Sequence, residues 1–216
     1  MTVRLGKPRK NSIAIHTVDR ATFAVAPAAL LDLPSRRWLQ TLGFTGAPDT
    51  HALQPAPDGR LQAVWAGVRG AADPWALALL PKALPPGQYH LAQLAPAASA
   101  DATGIAMDAA AAAMSWELGG YAFDLYKPAR REPAELTLPG SEAAQRGLIL
   151  AGAIASTRDL VNTPAEDLGP AALAEAVRLV ARQHGARFKQ TVGDTLLTAG
   201  FPAIHAVGRA ADAASG

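Results

Sequence analysis

A chain of 216 residues has room for one large domain or two small ones, and an apolar half with 18% charged residues is an ordinary globular balance. It contains no cysteine, which excludes a disulfide framework, a thiolate nucleophile and a zinc–thiolate site and fits a cytosolic protein. Arg4, Lys7, Arg9 and Lys10 put +4 into the first ten residues of a chain whose net charge is +2, so the rest sums to −2 and the pI of about 9.1 reflects a short basic arm.

No apolar run reaches the ~20 residues of a membrane helix, and the N-terminus lacks the basic-then-apolar order of a signal peptide. Residues 1–11 read as a polar, frayed terminus, a solvated arm in preference to a nucleic-acid contact. Strands are expected at 12–18 and 22–26, joined by a turn at Asp19–Arg20. Trp38, Leu39 and Leu42 mark a helix over 34–42 that Gly43 ends. Three further strands are expected at 50–54, 61–68 and 75–80, the first two joined by the turn Pro55-Ala-Pro-Asp-Gly59. Another follows at 88–94, and 96–103 is an alanine-rich connector.

A long helix is expected from Asp101 or Thr103, with Met107, Ala111, Met114, Leu118, Tyr121 and Leu125 along one face and Pro128 at its end. Gly119–Gly120 costs that helix roughly 1–2 kcal/mol against alanine, so another element should approach closely there. A short strand at 135–138 precedes a second long helix, capped by Ser141 and stopped near Asn162 because Pro164 disfavours helical angles at Thr163. Pro170 opens an amphipathic helix with Leu173, Val177 and Val180 inward and Gly185 as its stop. Residues 186–192 alternate like a strand, 195–199 form a short helix, and 203–207 are apolar over a strand's length. The order implies an α/β fold: a three-layer N-terminal domain with a mixed, mostly parallel sheet, then a long helix, then the first βα unit of a second α/β domain. The domain limits read as 1–139, 140–163 for the linker helix and Asn-Thr-Pro turn, and 164–216.

Arg158-Asp-Leu-Val-Asn-Thr-Pro164, then Gly193-Asp-Thr-Leu-Leu197 and Phe201-Pro-Ala-Ile-His-Ala-Val-Gly-Arg209, closely resemble the leucyl (cytosol) aminopeptidase family. Trp116-Glu-Leu-Gly-Gly-Tyr-Ala-Phe-Asp-Leu-Tyr-Lys127 extends the resemblance backwards, and the first hundred residues share it in outline. The resemblance implies a cytoplasmic enzyme that hydrolyses N-terminal residues from peptide substrates. Two divalent metal ions, zinc or manganese, would sit between Lys, Asp and Glu ligands and activate a bridging water. It also implies a homo-hexamer with the catalytic C-terminal regions at its centre and no membrane contact. The family's ligand segments, Gly-Lys-Gly…Phe-Asp-x-Gly-Gly…Leu-Lys and Asn-Thr-Asp-Ala-Glu-Gly-Arg, do not occur here: Asn162-Thr163 leads into Pro164, Phe123-Asp124 lacks the following glycines, and Lys127 falls on an expected helix. The chain ends at Gly216, before the first of them would begin, so no catalytic, metal or substrate-binding residue is expected in it and no metal is expected to bind. An alternative is an N-terminal interaction module with a DNA-binding or oligomer-organising role, the second use to which some family members put this region.

The remaining candidates read more simply as structure. His16, His51, His90, His184 and His205 have no metal-ligand spacing; His184 suits a helix C-terminus and His205 an apolar core. Gly43–Gly46 and Gly67–Gly70 match no phosphate loop. Asp101, Asp108, Glu117 and Asp124 do not pair, and Trp38, Trp65, Trp75 and Trp116 are dispersed core residues and no stacking platform. Asn162, Thr163 and Pro164 are expected to support the neighbouring sheet structurally.

Overall fold

A computed structural model describes residues 2–26, 31–93, 104–128 and 131–209. The chain divides into two units, Met1–Ala155 and Ser156–Gly216. The first holds β1 (Val3–Leu5), β2 (Ile13–Val18), α1 (Arg20–Ala24), α2 (Leu33–Thr41), β3 (His51–Pro55), β4 (Leu61–Gly67), α3 (Leu80–Ala83), β5 (Gln88–Leu91), α4 (Ala109–Gly120) and β6 (Glu135–Leu138). The helix α5 (Glu142–Asn162) begins in it. The second unit carries α6 (Pro170–Gln183), α7 (Thr195–Thr198) and α8 (Pro202–Gly208).

The six strands run in the order β1-β6-β5-β2-β4-β3. All neighbours are parallel except the edge pair β3–β4. Because alternate residues face opposite ways, the register separates two surfaces. On one, Val3, Leu136, Tyr89, Ile15 and Val64 pack against Met107, Ala112, Trp116 and Ala144 from the α4 and α5 side and Leu77, Leu80 and Leu84 around α3. On the other, Val18, Trp65 and Ala52 meet Phe23 of α1, Leu39 of α2, Leu31 and Phe44. The result is three layers, α/β/α, with the expected mixed and mostly parallel sheet. Trp65 is fully buried, and its indole N–H donates to Gln54 Oε1 at 2.6 Å while Gln54 Nε2 donates to Ser35 Oγ at 2.9 Å. That chain of partners satisfies the polar atoms taken from water.

The close approach expected at Gly119–Gly120 is present. A Cβ at Gly119 would lie 2.0 Å from the Ala78 carbonyl oxygen, and one at Gly120 2.8 Å from Thr2 Oγ1. Gly147 plays the same part where α5 crosses α4, with Ala110 O 2.3 Å from a hypothetical Cβ.

Several expectations need correction. Residues 22–26 are not a strand: Asp19 caps α1, accepting from Thr22 N at 2.7 Å while its own N–H donates to Thr22 Oγ1 at 2.8 Å, a reciprocal box that starts a helix. Residues 75–80 are successive turns leading into α3, begun by Asp73 accepting from Trp75 N at 2.9 Å. Their short apolar run could not distinguish a strand from buried turns. The long helix is α4 alone; Asp108 caps it by accepting from Ala111 N at 2.9 Å, and Tyr121 turns extended with ψ 132° just after the paired glycines. Lys127 therefore lies outside any helix, and Leu125 is exposed. Asp101 and the connector at 96–103 lie outside the described residues. The expected fraying does not extend over residues 3–5, since β1 adds a parallel strand beside β6.

In the second unit α6 and α7 fall where expected, but neither strand does. Residues 186–192 form no strand pairing among the described residues, and 202–208 form α8, with Pro202 in its first turn. A strand exists only through its neighbour, so an alternating sequence without a partner stays irregular.

Two glycines of one helix should respond in opposite directions. Gly147→Ala should lower stability by about 1–3 kcal/mol through forced displacement of Ala110. Gly152→Ala, with nothing within 4 Å of its Cβ position, should raise it by about 0.5–1 kcal/mol. Urea midpoints of the two variants check the pair.

Candidate functional site

The basic segment is fixed in the structure. β1 and β2 are parallel and separated by β6 and β5, so residues 6–12 must return across the sheet to begin β2. They do so on the surface that carries Arg4, Thr137, His90, Ala14, His16 and Trp65 in register. Arg4 Nη2 donates to Lys7 O at 3.0 Å and to Thr137 Oγ1 at 3.3 Å, and Arg4 pairs with Glu135 at 3.3 Å. Ser12 Oγ lies 2.6 Å from His90 Nδ1. Lys7, Arg9 and Lys10 are exposed. His16 stacks on Trp65, with ring centroids 4.7 Å apart. Burial, then the neighbouring His90, hold its pKa down to about 4; burial lowers His90 and His51 too.

Open parallel sheets bind ligands beyond the carboxyl ends of their strands, where the strand order reverses. Here that point lies at the ends of β2 and β5, and the chain itself fills it. Ile105 N donates to Thr17 O at 2.7 Å and Thr17 Oγ1 to Ile105 O at 2.6 Å. A Cβ on Gly104 would lie 2.8 Å from Thr17 O, and Met107 is fully buried. The glycine pairs nearby shape turns: Gly43 and Gly46 have φ of 71° and 72°, and Gly67 backs onto Ala47 O.

A cleft of about 550 Å³ in the first unit is lined by Thr2, Glu117, Asp124, Glu132, Leu148 and Ala155, among others. Its carboxylates serve structure first. Glu117 Oε2 accepts from Thr2 N at 2.8 Å, Thr2 Oγ1 at 3.0 Å and Val3 N at 3.0 Å, which anchors the start of β1. Nothing in the sequence marked this bond, since its partners are 115 residues away; the signal was only an acid one turn before a paired glycine. Asp108 is a helix cap. Of the tryptophans, Trp65 and Trp116 are core as expected, whereas Trp38 and Trp75 are about half exposed, at 46% and 48%.

In the second unit, Thr163 closes α5 by donating from N and Oγ1 to Asp159 O at 3.0 and 2.7 Å. His184 is the C-cap of α6, as its position suggested. His205 is not in a core strand; it lies on α8 with Nε2 3.1 Å from Asp194 Oδ1. An apolar hollow of about 750 Å³ is lined by Val192, Leu196, Ile204, Val207 and Arg209, among others. No described residue from 156 to 209 is buried.

A family model described as the N-terminal domain of M17 aminopeptidases matches residues 29–139. The chain belongs to the M17 aminopeptidase family. It is 31% identical over 209 residues to a probable cytosol aminopeptidase of Streptomyces coelicolor, an alignment covering 82% of this chain and 40% of that one. The chain thus spans about two fifths of the length of this relative. A crystal structure of the cytosol aminopeptidase from Coxiella burnetii shares 33% identity and a TM-score of 0.81, covering 98% of this chain and 44% of the other. The bottromycin maturation enzyme BotP in complex with Mn shares 25% identity and a TM-score of 0.56, covering 82% of this chain and 37% of that one.

M17 enzymes imply a metal centre, and the described residues do not supply one: no three His, Asp or Glu side chains among them converge as a ligand set. Glu117, the most central carboxylate of the acidic cleft, is spent on backbone and hydroxyl donors. No described helix is long and apolar enough to cross a membrane.

Glu117→Ala should leave the Thr2 and Val3 amides without their carboxylate and cost about 1–3 kcal/mol. Amide exchange at Val3 and Leu136 should accelerate before that of β4; uniform loss across the sheet would contradict a local anchor.

Proposed function

We propose that these residues form the N-terminal domain (1–139), linker helix and turn (140–163) and opening catalytic segment (164–216) of a metal-dependent leucyl aminopeptidase. The whole enzyme would remove N-terminal residues from peptides in the cytoplasm. Its two divalent ions, zinc or manganese, would be held by a C-terminal region following this segment, and the catalytic regions would join as a homo-hexamer. No residue of this chain is assigned a catalytic, metal-binding or substrate-binding role.

One observation carries the reading: the second unit has helices, and among its described residues none is buried. Leu173, Val177, Val180, Phe201, Ile204 and Val207 are all about half exposed or more. Ordering a backbone residue costs about 1–2 kcal/mol, and a unit that buries no apolar side chain has nothing to offset this. Its apolar surfaces call for a further body of protein. The family's catalytic region is that body, and the relatives are longer than this chain by more than half of their length.

The 216-residue chain alone should release no p-nitroaniline from leucine p-nitroanilide with added manganese or zinc. A chimera joining it to the remaining part of the Streptomyces relative should do so. Turnover by the chain alone, or a folded, metal-loaded chimera without turnover, would overturn the proposal.

A second reading rests on the crossing between β1 and β2. Lys7, Arg9 and Lys10 form no ion pair among the described residues and are exposed along that crossing. This is a phosphate-binding surface of three cations, Arg4 being committed to Glu135. Binding to duplex DNA should weaken with salt at a log–log slope of about −3, and a Lys7→Ala, Arg9→Ala, Lys10→Ala variant should not bind. Equal binding by that variant rejects the reading.

A further inference from the structure

The crossing between β1 and β2 is held chiefly at its two ends. Gly6 N donates to Leu138 O at 2.8 Å at one end, and Ser12 meets His90 at the other. Between them the backbone makes one hydrogen bond of its own, Ser12 N to Arg9 O at 2.9 Å, and accepts one from Arg4 at Lys7 O. Residues 7–11 are exposed along their whole length. A segment held at its ends over a polar surface sits at the low-stability end of a structure.

Beneath its far end lies His90. From β1 this surface carries Arg4, from β6 Glu135, from β2 His16, and from the crossing itself Lys7, Arg9 and Lys10; β4 offers the neutral Trp65. Arg4 and Glu135 neutralise each other. Among the described residues no further carboxylate faces His90 to receive a proton-loaded imidazole. The Ser12 hydroxyl can face either tautomer of His90, but one hydroxyl does not replace the water an imidazolium would hold.

We propose that residues 6–12 are an acid-released strap, which lifts from the sheet when His90 gains a proton. The driving force is hydration of the imidazolium. β5, which carries His90, is laddered to β2 and β6 on both sides, whereas residues 7–11 are exposed and weakly bonded, so the strap is the side that gives way. Burial is the cause that lowers the pKa of His90 with the strap seated. With the strap raised, the half-buried ring gains further water and its pKa returns toward the ordinary ~6.5. The raised form then binds more protons than the seated form. Seating is therefore fully stable above about pH 6.5 and weakens as the pH falls below it. His16, deeper against Trp65 and held to about 4 by burial and by His90, takes up its proton later. Lifting would carry Lys7, Arg9 and Lys10 away from the sheet together and uncover the polar surface beneath.

Amide exchange of the full chain, corrected for intrinsic rates, tests this between pH 7.5 and 4.5. Protection of Gly6 and Ser12, the two hydrogen-bonded amides of the strap, should fall about tenfold or more across this range while the β4 amides keep theirs. His90→Gln keeps a partner for Ser12 without a titrating ring and should hold protection level. In the wild-type chain the NMR titration of the His90 ring should share its midpoint with the loss at Gly6 and Ser12, so the result does not depend on the variant folding. Unchanged strap protection at pH 4.5, an equal fall in His90→Gln, or a ring titration out of step with the strap would overturn the proposal.

Discussion

The strand on which the first unit depends is β2. It pairs in parallel with β4 on one side and β5 on the other, so both of its hydrogen-bond ladders are used. Its two faces carry different chemistry. Ile15 enters the main core, where it is fully buried beside Val64 and Tyr89. The reverse face changes along its length: Val18 joins the second core, His16 stacks on Trp65, and Ser12 bonds His90. A slip of one residue would exchange these faces, burying His16 among Trp116 and Met107. Register is therefore set by the cost of burying polar groups as much as by apolar burial.

That arrangement explains why only half of the reverse face has helices. α1 and α2 cover the apolar half around Trp65, and the Asp19 box at the end of β2 starts α1 there directly. The half formed by β5, β6 and β1 is too polar to reward a packed helix, and a seven-residue crossing suffices. Thr137 is nonetheless 1% exposed, covered by the Arg4 side chain that donates to it. On the opposite face, Gly119 lets α4 approach the backbone of Ala78 just before α3, Gly120 lets it approach the Thr2 side chain, and Gly147 lets α5 approach the backbone of Ala110 in α4.

What could be read from the sequence was local. The strands at 13–18, 51–55, 61–67, 88–91 and 135–138 each show their pattern within a few residues, and Ser141, Pro164 and Gly185 punctuate helices by their own stereochemistry. The close contact at Gly119–Gly120 was also legible, because two glycines inside a helix have no other return. What failed was non-local. β1 is three residues of modest β propensity, made a strand by β6 and by a carboxylate 115 positions away. The apolar runs at 22–26 and 75–80 had strand length, and only a capping box and an aspartate turn decided them otherwise. Of the candidate site, the motifs that mark the family were visible in the second unit, while the strap was not. Its charges were counted correctly, but four cations near a terminus do not reveal that the backbone between them spans two strands.

The second unit shows the same limit from the other side. α6 is amphipathic and begins with Pro170 at its first position, so local forces define it. Residues 186–192 alternate as a strand should, yet alternation states only which side chains would face a core. With no neighbouring strand among the described residues to accept its ladder, the segment forms none. Where Pro202 and the alanines that follow allow a local solution, the chain takes it and α8 forms. A helix satisfies its backbone hydrogen bonds within its own segment, whereas a parallel strand needs a neighbour to complete its ladder. Alternation in this unit therefore states only which side chains would face a core, and regular structure forms where the local signals suffice for a helix.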